Sequence, residues 1–140
     1  MRVLLDTNVV LDLLLDLEPF SELAQAIFLK IESKQIQGFL CPTTLTTLYY
    51  LLGKHLDKKR CNQTMENLLT LFEITNLTKP VLVESVRSVG SDFEDSVIYT
   101  SAKYTDVDAI VTRDATGFKN ATIKVMSPQE FLIFVDANSK

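Results

Sequence analysis

A chain of 140 residues, 46% of them apolar and 23% charged, is long enough to bury one core and too short for two, so residues 1–140 are read as a single domain. This composition excludes disordered, collagen-like and disulfide-stapled classes. With 14 basic against 18 acidic side chains and a formal charge of -4, the chain does not grip nucleic acid by bulk charge, although a local basic patch stays compatible with it.

The strands and helices alternate. Arg2 to Leu5 is a short apolar strand that ends at Asp6-Thr7-Asn8, three residues able to cap a helix. A helix follows to about Leu15, broken by Glu18-Pro19. The next begins near Phe20-Ser21, with Ser21 as its expected N-cap, and carries Leu23, Ala24, Ile27, Phe28 and Ile31 at helical spacing. Gly38 to Cys41 reads as a second strand stopped by Pro42. Thr43 to Lys54 is a helix ended by Gly53. Cys61, Met65, Leu68, Leu69 and Phe72 mark another, and Phe72 to Thr75 opens a short third strand. Lys79 to Val89 is a helix with Pro80 in its first turn, closed by Gly90-Ser91. Asp92 to Tyr104 is a helix, Ala109 to Thr112 a fourth strand and Ile123 to Met126 a fifth. Ser127-Pro128 opens a last helix through Phe134. Short apolar strands alternating with helices imply a parallel sheet covered on both faces.

Cys41 and Cys61 form no metal or redox spacing and are expected as packed thiols of a reducing compartment. The first apolar runs stop at Asp6, Asp12 and Asp16, well short of the roughly 20 residues of a membrane span. No membrane partner is expected, and the expected location is the cytoplasm.

Carboxylates are placed with more regularity than caps require. Asp6 follows strand one and Asp114 follows strand four. Asp92, Glu94 and Asp95 begin the helix that runs into strand four, so its first turn lies at the edge where that strand ends. Open α/β sheets carry their sites at this edge. Two unit charges about 4 Å apart repel by about 4 kcal/mol at an effective dielectric of about 20, and a hard divalent cation relieves that repulsion. Asn8, Thr7 and Thr112 add neutral oxygens. Each acid also has a structural reading: Asp6, Asn8 or Asp92 as caps, Glu94 at a helix dipole, Asp114 in an Asx turn.

Taken together, LLDTNVVLDLLLDLEPF at the start, DFEDSVIYTSAKYTDVDAIVTRD from Asp92 to Asp114 and the tail GFKNATIKVMSPQEFL resemble a PIN-domain ribonuclease, above all the VapC-type toxins. The resemblance covers nearly the whole chain. It implies a three-layer α/β/α fold with a central five-stranded parallel sheet of order 3-2-1-4-5, and cleavage of RNA dependent on Mg²⁺ or Mn²⁺. Carried over, Asp6, Asp95 and Asp114 are the metal-binding acids, and Asp92 is an auxiliary acid of the catalytic set. Glu94, Asn8 and Thr112 are supporting residues, and Arg113, beside Asp114, is the candidate phosphate contact. Toxin status would bring a cognate antitoxin and a homodimer.

One departure stands out. The family's acid in the helix after strand two falls within TTLTTLYYLL, where Thr47 takes its place. A hydroxyl carries no charge, so metal affinity should weaken, and Asp92 or Glu94 are the residues placed to compensate. This departure motivates a second reading, a PIN-fold module without turnover that binds RNA or a protein. A third, a receiver-like phosphoacceptor, also gathers acids and Mg²⁺ at this edge and has Lys124 near Pro128 in its favour, but it expects paired acids around strand one, where Leu5-Asp6-Thr7 stands. His55, without a companion motif, reads as a surface residue. Lys54, Lys58, Lys59 and Arg60 form the densest basic stretch, and Tyr49 and Tyr50 offer a stacking face.

Overall fold

The computed structural model describes residues 1–88, 92–118 and 121–138. Five strands, β1 (Arg2–Leu5), β2 (Gln37–Leu40), β3 (Glu73–Ile74), β4 (Ala109–Val111) and β5 (Lys124–Met126), form one sheet in the order β3-β2-β1-β4-β5. Every pairing is parallel. Leu4 lies level with Phe39 on one side and with Ile110 on the other, which puts β1 at the centre. Its residues Val3, Leu4 and Leu5 are all fully buried, as a strand covered on both faces must be.

Alternation along β1 divides the core. Val3 and Leu5 face a layer built from α1 (Thr7–Leu14), α2 (Ser21–Glu32), α3 (Pro42–Leu52), α4 (Lys58–Leu71) and α7 (Pro128–Asn138). Leu4 and Ile110 face the opposite layer, where α6 (Phe93–Tyr104) contributes Val97, Ile98 and Ala102. A shorter helix, α5 (Lys79–Arg87), packs against α6 through Val81 and Ser85. The three layers and the sheet order are those expected from the sequence. No helix among the described residues is long and apolar enough to cross a membrane.

Several boundaries differ. Pro42 begins α3 rather than only ending β2, because a proline lacks just the N–H that a first helical residue leaves unpaired. Phe20, not Ser21, occupies the cap position of α2, and Ser21 Oγ donates instead to Glu18 Oε1 at 3.3 Å. The last helix continues past Phe134 to Asn138, since Val135 extends its buried face. A 3-10 turn at Ala115–Phe118, unforeseen in the sequence, follows β4 and packs Phe118 into the core. Val89, the expected end of α5, and Gly90 and Ser91 after it lie outside the described residues.

Both cysteines are buried free thiols. The parallel crossovers deliver the carboxyl ends of β1 and β4 side by side, with Asp6 N–H donating to Val111 O at 2.9 Å. That pair of strand ends is the switch point of the sheet.

Candidate active site

Asp6 leaves the end of β1 as the N-cap of α1. Its Oδ1 accepts from the Thr7 N–H at 2.8 Å, and its Oδ2 accepts from Thr112 Oγ1 at 2.7 Å. Thr112 is the hub of this corner. Having given its single proton to Asp6, its oxygen accepts from Asn8 Nδ2 at 3.3 Å and from the Asp114 N–H at 3.1 Å. Asn8 Oδ1 in turn accepts from the Arg113 N–H at 3.3 Å. A chain of neutral side chains thus ties the end of β1 to the segment after β4. Thr7 Oγ1 extends it to α3 through Thr44 Oγ1 at 3.0 Å.

Asp114 opens the 3-10 turn. Its Oδ1 accepts from both the N–H and the hydroxyl of Thr116, which hold its carboxyl below the usual range. Asp92 is the N-cap of α6, with its Oδ1 accepting from the Asp95 N–H at 3.2 Å. The capping role open to Asp92 and the turn role open to Asp114 are therefore both realised, and neither uses the second carboxylate oxygen.

The acids act on one another. Burial pushes the Asp6 carboxyl up, against the lowering effect of its two hydrogen bonds, and the charges of Asp114 and Asp92 push it further. Asp95 is pushed up to about 6, first by burial and then by Asp6, Asp92, Glu94 and Asp114. Glu94 is raised by burial, then by Asp92 and Asp6, with the Thr47 hydroxyl opposing. Among the described residues none of these five acids forms an ion pair.

Glu94 marks the place of the sequence departure. Its Oε1 accepts from Thr47 Oγ1 at 3.4 Å, so a carboxylate from α6 stands against the α3 position where an acid was expected.

Arg113 is engaged elsewhere. Its Nε and one terminal nitrogen donate to the two oxygens of Asp12 at 2.7 and 3.2 Å, and its guanidinium lies 4.0 Å from the centre of the Phe20 ring. Asp12 is 1% exposed, so this is a buried charge matched by a forked partner. No sequence signal pairs positions so far apart in the chain. Gly117 was missed as well. A Cβ there would come within 2.1 Å of Asp95 Oδ2, so the turn approaches the carboxylate as only glycine permits. The available signal was a glycine three residues after Asp114.

Oxygen donors of this number and charge, with no cationic side chain among them, fit a hard divalent ion such as Mg²⁺ or Mn²⁺. Asp6, Asp95 and Asp114 are the residues that could hold it. Among the described residues no three acids, cysteines or histidines already stand in the arrangement of a ligand set.

A family model described as a PIN domain matches residues 2–116. No curated protein is a significant match. Solved structures with the same fold include VapBC-1 from nontypeable Haemophilus influenzae, at 14% identity and a TM-score of 0.68 over 92% of this chain and 99% of that one. A toxin–antitoxin complex from Klebsiella pneumoniae matches at 19% identity and a TM-score of 0.67, over 90% and 97%. FitAcB from Neisseria gonorrhoeae matches at 20% and a TM-score of 0.63, over 91% and 98%.

Proposed function

The chain belongs to the PIN domain family, and on that premise we propose that it is an endoribonuclease dependent on Mg²⁺ or Mn²⁺, acting as the toxin of a toxin–antitoxin pair. The observation that carries this reading is the gathering of Asp6, Asp92, Asp95 and Asp114 from three segments at the β1/β4 switch point, with no ion pair to any of them among the described residues. The toxin–antitoxin assignment takes its support from the complexes of like fold. By the same analogy the partners are an antitoxin and a second copy of the chain.

In the mechanism, Asp6, Asp95 and Asp114 are the residues that would hold the ion. When bound, it would make a water acidic enough to attack a phosphodiester near neutral pH and would stabilise charge on the phosphoryl oxygens. Asp92 Oδ1 is committed to the Asp95 N–H. Its Oδ2, without a partner among the described residues, would accept the proton of the attacking water. Thr112 fixes the orientation of Asp6, and Asn8 fixes that of Thr112. Glu94, braced by Thr47, brings negative charge to the α3 side of the cleft and offsets the absence of an acid at position 47.

Thr47 itself favours the second reading, a binding module without turnover. The two part on a panel of structured and unstructured RNAs incubated with Mn²⁺ or Mg²⁺, wild type against Asp95→Asn. Metal-dependent cleavage by the wild type that disappears in the variant is the expected result. Equal cleavage by both proteins, or none by either at millimolar metal, removes the proposal.

A further inference from the structure

We infer that the outer face of α3 and the turn that follows it, centred on Tyr50 and Lys54, are the surface on which a single strand of RNA lies as it enters or leaves the acidic cleft. The inference rests on the nuclease reading and adds to it the residues that would grip the substrate away from the scissile bond.

α3 is anchored by its inner face. Thr44, Leu48 and Leu52, four residues apart, are buried against the core. The opposite positions follow a second stripe. Thr47 and Tyr50, three residues apart, share one side of the helix, and Lys54 follows in the turn after its end at Leu52. The stripe begins at the cleft, because Thr47 donates to Glu94. One turn further on, about 5 Å by the rise of a helix, it reaches the Tyr50 ring, with the Lys54 ammonium held over it.

That ring is exposed for no structural purpose visible in the fold. Tyr50 is 67% exposed. The Lys54 ammonium sits 4.9 Å from its centre, so an aromatic face and a positive charge are already held together. Beside it Tyr49 is held by a hydrogen bond from its hydroxyl to Asn62 Oδ1 at 2.8 Å. Beyond Lys54 the chain continues into Lys58, Lys59 and Arg60, all exposed. The ion pairs among the described residues involve none of these four cations. The one acid in the run, Asp57, turns its Oδ1 onto the Arg60 N–H as the cap of α4.

The chemistry of the patch selects its occupant. A chain of net charge -4 concentrates cations where an aromatic ring is laid open, next to a cleft that repels anions. Single-stranded RNA answers both features, since its bases stack on a tyrosine whatever their sequence and its phosphates take the lysines. A polyanion that must approach five acids needs such a hold outside the cleft.

The test is fluorescence anisotropy of a labelled mixed-sequence single-stranded RNA in EDTA, which reads binding without cleavage. Tyr50→Ala should weaken binding at least about fivefold, while Tyr50→Phe, which keeps the stacking face, should bind as the wild type does. Lys54→Gln should reduce the slope of log affinity against log salt by about 0.7, the value for one phosphate contact on a single strand. Lys34→Gln, in the turn that leads into the amino end of β2, should change neither the affinity nor its Tyr50 dependence beyond the general loss of one charge. Circular dichroism of each variant confirms the fold. Affinity of Tyr50→Ala within twofold of wild type overturns the inference and leaves the patch to a protein partner. If that happens while the wild type still cleaves the same RNA with Mn²⁺, the nuclease reading stands alone. A wild type that neither binds nor cleaves removes both.

Discussion

Asp6 and Asp12 lie on either side of the first turn of α1, and the chain treats them oppositely. Asp12 is buried and receives a forked guanidinium from Arg113, itself stacked on Phe20. Asp6, six residues earlier, is also buried, yet among the described residues it receives a hydroxyl and a backbone N–H and no cation, while the charges of Asp95, Asp92 and Asp114 act on it. The fold thus has the means to neutralise a buried carboxylate and spends its nearest arginine on Asp12. Asp12 is matched internally, whereas the acids at the switch point form no ion pair among the described residues.

The largest effect that probes this contrast is on the matched side. Arg113→Ala strands the Asp12 charge, and the loss of stability in urea denaturation should be about 3–5 kcal/mol. Pairing it with Asp12→Leu should restore much of that loss. A small effect from the single variant would show that the Arg113–Asp12 pair contributes little to stability. It follows that reduced activity in Arg113→Ala cannot be assigned to RNA contact without a stability measurement beside it.

On the unmatched side, Gly117→Ala drives a methyl group into the Asp95 carboxylate. Cleavage should fall by about 100-fold, the usual consequence of misplacing a catalytic group by about 1 Å, with the far-ultraviolet spectrum unchanged. Retained cleavage would show that Asp95 is free to relocate. Thr112→Val keeps the shape of the hub and removes its hydroxyl. Asp6 and Asn8 lose their partner, and the expected cost is about 1–3 kcal/mol in thermal or chemical unfolding.

The smallest effect carries the sign of the contrast. The Asp95 carboxyl is raised from its ordinary 3.8 to about 6, so the folded chain holds that proton more tightly than the unfolded chain does. The stability linked to it is present below about pH 4 and is lost as pH rises through about 6. Asp95→Asn should therefore be more stable than wild type at pH 7, by no more than about 1 kcal/mol once solvent screening of a half-exposed group is allowed for. The two proteins should converge near pH 4. A variant less stable than wild type at pH 7 would contradict the mutual repulsion.

Much of this was legible in the sequence for a physical reason. The strands are continuous apolar runs because both faces are covered, and the acids follow strand ends because that is where a parallel sheet opens. Asp6, Asp92, Asp95 and Asp114 could be placed at one edge from chain direction alone. What stayed hidden depends on contacts between distant segments. The engagement of Arg113 by Asp12 and Phe20, the bracing of Glu94 by Thr47 and the close approach of Gly117 to Asp95 are all made across the fold. No local pattern encodes them. The 3-10 turn was likewise hidden, since four residues are too few to show a period.

The most direct test of the central claim is crystallographic: an anomalous difference map from crystals soaked in Mn²⁺. The account predicts a peak bounded by Asp6, Asp95 and Asp114, with Asp95→Asn crystals losing it. A map without density at the β1/β4 edge, at a Mn²⁺ concentration that supports cleavage in solution, would contradict it.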